Sequence, residues 1–111
     1  NIIAIMNESY ADLSILGDFK TSVPYMSFYQ SLIPDTIHGN LSVSVLGGGT
    51  CNSEFEFLTG LTTAFLPSGV MVYQQYINDP LDSIATILKQ QGYKTVAFHP
   101  SKPDSWRRDK I

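Results

Sequence analysis

Three consecutive glycines, Gly47, Gly48 and Gly49, stand directly before Thr50. Glycines let a backbone approach a ligand closely, and the apolar spacing of Phe55, Leu58 and Leu61 predicts a helix that begins at this point. A helix start aims free N–H groups and a partial positive charge at an anion such as a phosphate, and here an alcohol stands beside them. A threonine hydroxyl is unreactive at its ordinary pKa, so a nucleophilic role needs a divalent cation or a base; the plainer role is a helix N-cap. The run is not the phosphate loop of nucleotide hydrolases, because no Lys-Ser/Thr pair follows the last glycine. Two further reactive side chains stand in comparable places. Glu8 follows an isoleucine-rich run, and His99 closes a short apolar one.

The elements that must position these residues are strands and crossover helices. Residues 1–6 are nearly all apolar and read as a strand buried on both faces, the pattern of a parallel sheet. Residues 10–20 lack a period and predict a loop with one helical turn. Ser22 and Pro24 then open a short amphipathic helix carrying Tyr25, Phe28, Tyr29 and Leu32, which Pro34 ends. Leu41, Val43 and Val45 alternate with Ser42 and Ser44, predicting a second strand over 40–46. Residues 62–80, punctuated by Pro67, Gly69 and Pro80, predict an irregular connection with a short helix at 72–76. The clearest helix covers 82–91, with Ile84, Ile87 and Leu88 on one face, Lys89 in the last turn and Gly92 as the stop. Residues 94–98 predict a third strand. This order favours an α/β fold, a parallel sheet with crossover helices. Ligands of such sheets gather at the carboxyl ends of the strands, which would bring Glu8, Thr50 and His99 toward one crevice.

Composition sets the outer bounds. The 111 residues are 43% hydrophobic and 15% charged with a net charge of -3, which fits one globular domain or a piece of one and excludes a disordered tail or a basic nucleic-acid module. The longest apolar run covers only residues 2–6, far short of the roughly 18 to 20 residues of a membrane span. Cys51 is the single cysteine, so an internal disulfide and a cysteine-only metal site are both excluded. Residues 1–82 hold eight acids against Lys20, whereas residues 83–111 hold six bases against two acids; that basic end suits an anion or is simply solvated. The abrupt, strand-like beginning at Asn1 suggests a segment excised from a longer protein.

Four motifs taken together resemble a known family. They are Ile3-Ala4-Ile5-Met6-Asn7-Glu8-Ser9-Tyr10, Gly47-Gly48-Gly49-Thr50-Cys51-Asn52-Ser53-Glu54-Phe55, Gly92-Tyr93-Lys94-Thr95-Val96-Ala97-Phe98-His99, and Ser105-Trp106-Arg107-Arg108-Asp109. In order and spacing they resemble the lipoteichoic acid synthase group, phosphoglycerol transferases within the sulfatase and alkaline phosphatase superfamily. The resemblance implies that residues 1–111 are the N-terminal part of a single sulfatase-like catalytic domain, partial in its alkaline phosphatase-like sheet. It also implies metal ligation by Glu8 and Thr50, the metal being Mn2+ or Mg2+, and a covalent phosphoglycerol intermediate on Thr50. By the same resemblance His99, Trp106 and Arg108 bind substrate. A bidentate guanidinium suits a phosphate and an indole can wall a glycerol. Arg107 has no counterpart and His38 reads as structural or surface.

Two departures from the pattern matter. Ser101 stands where relatives often place an acid, and the family's downstream Asp-His metal pair and second pocket histidine have no counterpart before Ile111. The 111 residues alone are therefore expected to be inactive, and apolar surface left uncovered is expected to favour self-association. Cys51 raises a sulfatase as rival, but Cys51-Asn52-Ser53-Glu54-Phe55 lacks the Cys-x-Pro/Ala-x-Arg signal for formylglycine, and Cys51 reads instead as a small buried residue under the helix. The expected activity is transfer of glycerol phosphate from a phosphatidylglycerol-like lipid to a glycan or polymer acceptor. It would take place at the extracellular face of a bacterial membrane, with anchoring through segments outside this chain and no nucleic-acid partner. The alternatives are a related hydrolase, a phosphoethanolamine transferase, or a noncatalytic anion-binding module.

Overall fold

The computed structural model describes residues 1–8, 10–100 and 102. They fall into two compact units, one spanning Asn1–Ser42 and one beginning at Val43.

In the first unit a 3-10 turn, Leu13–Leu16, starts where Asp12 accepts the Ser14 N–H through its carboxylate at 2.9 Å. The Tyr25 hydroxyl donates to the same carboxylate at 2.7 Å, and that bond is the main reason the Asp12 pKa lies below its ordinary value. Tyr25 also leans on Phe19, with ring centroids 5.2 Å apart. With Tyr25 engaged in this way and Thr21 Oγ1 donating to the Val23 carbonyl, α1 begins later than Pro24 suggested and covers Ser27–Leu32. Pro34 then sits in a 3-10 turn, Ile33–Asp35, as expected of a residue that cannot continue the α-helical ladder. The buried residue is Met26, just before α1, rather than the predicted stripe, since Phe28 keeps 76% of its surface exposed.

The second unit is built around α2, Thr50–Thr59. Gly49 is its N-cap in the left-handed region (φ 81°), and Gly60 (φ 72°) ends it by donating its N–H to the Glu56 carbonyl at 2.9 Å. That stop leaves Leu61 beyond the helix and half exposed, so the inward face of α2 is Cys51, Asn52 and Phe55 rather than a stripe running on to Leu61. Helix α3, Val72–Gln75, and helix α4, Ile84–Gln90, pack on α2. The core holds Cys51, Phe55, Val72, Tyr73 and Ile77, flanked by Leu66, Met71 and Leu81, with Phe55 set edge-on to Tyr73 at 5.6 Å. Helix α4 starts at a reciprocal cap between Ser83 and Thr86, and Gly92 follows its end at φ 90°.

No strand is assigned among the described residues. In the segments expected to be strands, 1–6, 40–46 and 94–98, Ile3, Ile5, Leu41, Val96 and Phe98 are 80–92% exposed. A parallel strand exists through ladder bonds to neighbouring strands and the helices that cover it, so these segments have the composition of buried strands without such partners here. No helix among the described residues is long and apolar enough to cross a membrane.

Candidate active site

Thr50 is the first residue of α2 and is half-buried. The three glycines before it take φ values of 70°, 132° and 81°, a run of left-handed backbone that side-chain-bearing residues rarely adopt. At Gly47 and Gly48 an added Cβ would meet nothing within 4 Å, so their requirement for glycine is conformational rather than steric. The N-cap is Gly49, and Thr50 stands one residue inside the helix, which removes the plainer reading of its hydroxyl as the cap.

The first turn of α2 is held from below. Cys51 is buried with Sγ 3.3 Å from Met71 Sδ, as expected of a small packed thiol. Asn52, 7% exposed, donates through Nδ2 to the Val70 carbonyl at 2.7 Å and accepts the Val72 N–H through Oδ1 at 3.1 Å. The Tyr73 hydroxyl donates to Glu54 at 3.4 Å. The anchors of Asn52 and Glu54 escaped the sequence reading because their partners lie 18 to 20 residues away. One signal was available for Asn52, a polar side chain on the same helical face as Cys51 and Phe55.

At the other end of α2, Glu56 Oε1 accepts the Thr63 N–H, the Thr63 hydroxyl at 2.9 Å and the Thr62 hydroxyl at 3.3 Å. The Thr63 N–H is the largest of the contributions that hold the Glu56 pKa below the usual carboxylate range. A depressed folded-state pKa means that stability present above the unfolded-state value, about 4.3, is lost as pH falls toward the folded one. In thermal melts the advantage of wild type over Glu56→Gln should be largest near neutral pH and shrink below about pH 4. An advantage that stays constant down to about pH 3 would contradict the role assigned to the charge.

The predicted site residues are distributed as follows. Glu8 is exposed in the first unit, while Thr50 and an exposed His99 belong to the second. Trp106 and Arg108 lie outside the described residues. His38 is exposed, as expected. Among the described residues no three His, Cys, Asp or Glu side chains are grouped so as to hold a metal ion. Glu8 and Thr50 offer two oxygen donors where Mg2+ takes about six, so the described residues do not by themselves fit a metal centre.

A helix that opens on an alcohol after a left-handed glycine run suits an enzyme acting on an anionic ester, and comparison with known proteins points the same way. Residues 1–110 match the Sulfatase family, and the chain belongs to that family of enzymes, which holds transferases and hydrolases. It is 38% identical over all 111 residues to the "Putative cyclic beta-1,2-glucan modification protein" of Rhizobium meliloti (strain 1021). The chain spans 17% of that relative's length. No solved structure matches it significantly. The superfamily implied by the four motifs is thus the family to which the chain belongs.

Proposed function

We propose that this chain is part of a metal-dependent phosphoglycerol transferase that moves glycerol phosphate from a phosphatidylglycerol-like lipid to a glycan, with Thr50 as the nucleophile. The observation that carries the reading is the placement of Thr50 at the head of α2, directly after three left-handed glycines, in a chain of the Sulfatase family. The relative's name, a glucan modification protein, supports a glycan acceptor over a glycerol phosphate polymer. The absence of the formylglycine signal around Cys51, together with its burial, speaks against sulfatase chemistry.

In the proposed reaction Thr50 Oγ1 forms a bond to the lipid phosphorus while the bond from phosphorus to the diacylglycerol oxygen breaks. The diacylglycerol leaves with the proton that the hydroxyl gives up, and phosphoglycerol stays esterified to Thr50. A glycan hydroxyl then forms a bond to the same phosphorus while the bond from phosphorus to Thr50 Oγ1 breaks, and the proton of the glycan hydroxyl returns to Thr50 Oγ1. The amide end of α2 favours the phosphate charge during both steps. His99, Trp106 and Arg108 are proposed to hold the phosphoglycerol. The reading includes a divalent cation, Mn2+ or Mg2+, whose donor set Glu8 and Thr50 would begin and residues outside those described would complete.

The proposal extends to the fold and its setting. The segments 1–6, 40–46 and 94–98 are assigned to an alkaline phosphatase-like parallel sheet, supported by family membership and by their composition. A membrane lipid as donor implies work at a membrane surface, and the outer face of a bacterial membrane is the proposed side. The test is full-length protein incubated with phosphatidylglycerol vesicles and cyclic β-1,2-glucan. Diacylglycerol release with a phosphoglycerol-bearing glucan is expected. Release of phosphate with no glycan product would favour a hydrolase, and transfer only from phosphatidylethanolamine would favour the phosphoethanolamine reading.

Arg108→Lys should slow transfer on the order of tenfold or more, because a lysine cannot reproduce a planar two-point contact to phosphate, whereas Arg107→Lys should leave the rate near wild type. Equal losses in initial transfer rate for the two variants would remove Arg108 from the phosphate site.

A further inference from the structure

We infer that Asn52 is a positioning residue for Thr50, an inference that rests on the nucleophilic reading above. Three observations converge on it. Its backbone N–H donates to the Gly49 carbonyl at 2.9 Å, closing the turn on which Thr50 sits. Its side chain, almost wholly buried, spans from α2 to the main chain of residues 70 and 72 with both its donor and its acceptor matched. The acceptor contact also satisfies the first N–H of α3, so one amide fixes the head of α2 and the start of α3 together.

The requirement for this brace follows from the sequence that precedes it. Gly47, Gly48 and Gly49 place no side chain against the rest of the unit, so the glycine run cannot by itself hold Thr50 at a fixed height. Asn52 supplies a restraint from within α2, being the polar residue of its first turn that is buried and hydrogen-bonded across the core. Core packing by Cys51 and Phe55 resists separation of the helices, whereas two directional hydrogen bonds also resist sliding and rotation of α2 against residues 70–72. Sliding is the motion that would displace the Thr50 oxygen from a phosphorus atom, and a displacement of about 1 Å at a reacting group can cost on the order of 100-fold in rate.

The test uses full-length protein and compares Asn52→Asp with Ile77→Ala. The aspartate keeps the acceptor for Val72 N–H but sets an oxygen against the Val70 carbonyl. Ile77 belongs to the same core but lies outside α2. Both variants should melt lower than wild type. Asn52→Asp should lose on the order of 10- to 100-fold in kcat for transfer from phosphatidylglycerol, with KM within about twofold, whereas Ile77→Ala should keep kcat within about twofold. Asn52→Ser, which introduces no buried charge, should show the same split and is read in place of Asn52→Asp if that variant does not fold. Equal kcat losses for the Asn52 and Ile77 variants at matched melting temperature, or wild-type kcat in the Asn52 variants, would overturn the positioning role while leaving Thr50 as nucleophile. Retained transfer in Thr50→Ala would overturn the nucleophile itself and the positioning role with it.

Discussion

Thr50→Ala in the full-length protein should reduce transfer on the order of 10⁴-fold or more while leaving the melting temperature close to wild type. The substitution deletes a hydroxyl and a methyl from a half-buried first-turn position, and alanine is a good helix former there. The core under α2, formed by Cys51 and Phe55 with residues of α3, is untouched. A rate loss without a stability loss is the signature of a group that takes part in the chemical step. Thr50→Ser, which keeps the oxygen, should retain a substantial part of the rate, and an inactive serine variant of normal stability would show that the methyl matters as much as the oxygen.

Phe55→Ala should give the opposite pattern. Phe55 is 4% exposed and meets Tyr73 edge-on at 5.6 Å at the centre of a core with few other large side chains. Removing an aromatic ring from such a place costs about 3–5 kcal/mol, a sum of lost burial and the cavity left behind. That is a large share of the roughly 5–15 kcal/mol that holds a typical domain folded. Denaturant unfolding should therefore show a midpoint shifted far toward lower concentration, or no folded baseline for the second unit at all. Phe55→Leu, which refills much of the space, should recover part of the loss. A Phe55→Ala midpoint equal to wild type would contradict the assignment of this ring to the core.

How far the sequence alone leads depends on the range of the interactions that fix each feature. The helices were legible because their signals are local. The glycine before Thr50, Lys89 in the last turn of α4 with Gly92 beyond it, and Pro34 after α1 all act within a few residues. The boundaries that shifted did so through contacts a local pattern cannot contain, such as the bond from Tyr25 to Asp12, which leaves Ser27 as the first residue of α1. Asn52 and Glu56 escaped for the same reason, because what makes them important is main chain seven to twenty residues away. Strands are the extreme case. Their composition is written in residues 1–6, 40–46 and 94–98, but their existence depends on neighbours, and no ladder joins them among the described residues. The position of Thr50 at the head of a helix was legible from the glycines, while its role as nucleophile belongs to the proposal, and Cys51 was rightly read as buried. The roles of Glu8, His99, Trp106 and Arg108 came from the resemblance and remain part of the proposal.

The most direct test of the central claim is mass spectrometry of the full-length protein quenched during turnover with phosphatidylglycerol in the absence of a glycan acceptor. Peptide mapping should find one phosphoglycerol group on Thr50, absent from Thr50→Ala and discharged when acceptor is added. A phosphoglycerol group on Cys51 or on another residue, with Thr50 unmodified under conditions of active transfer, would contradict the account.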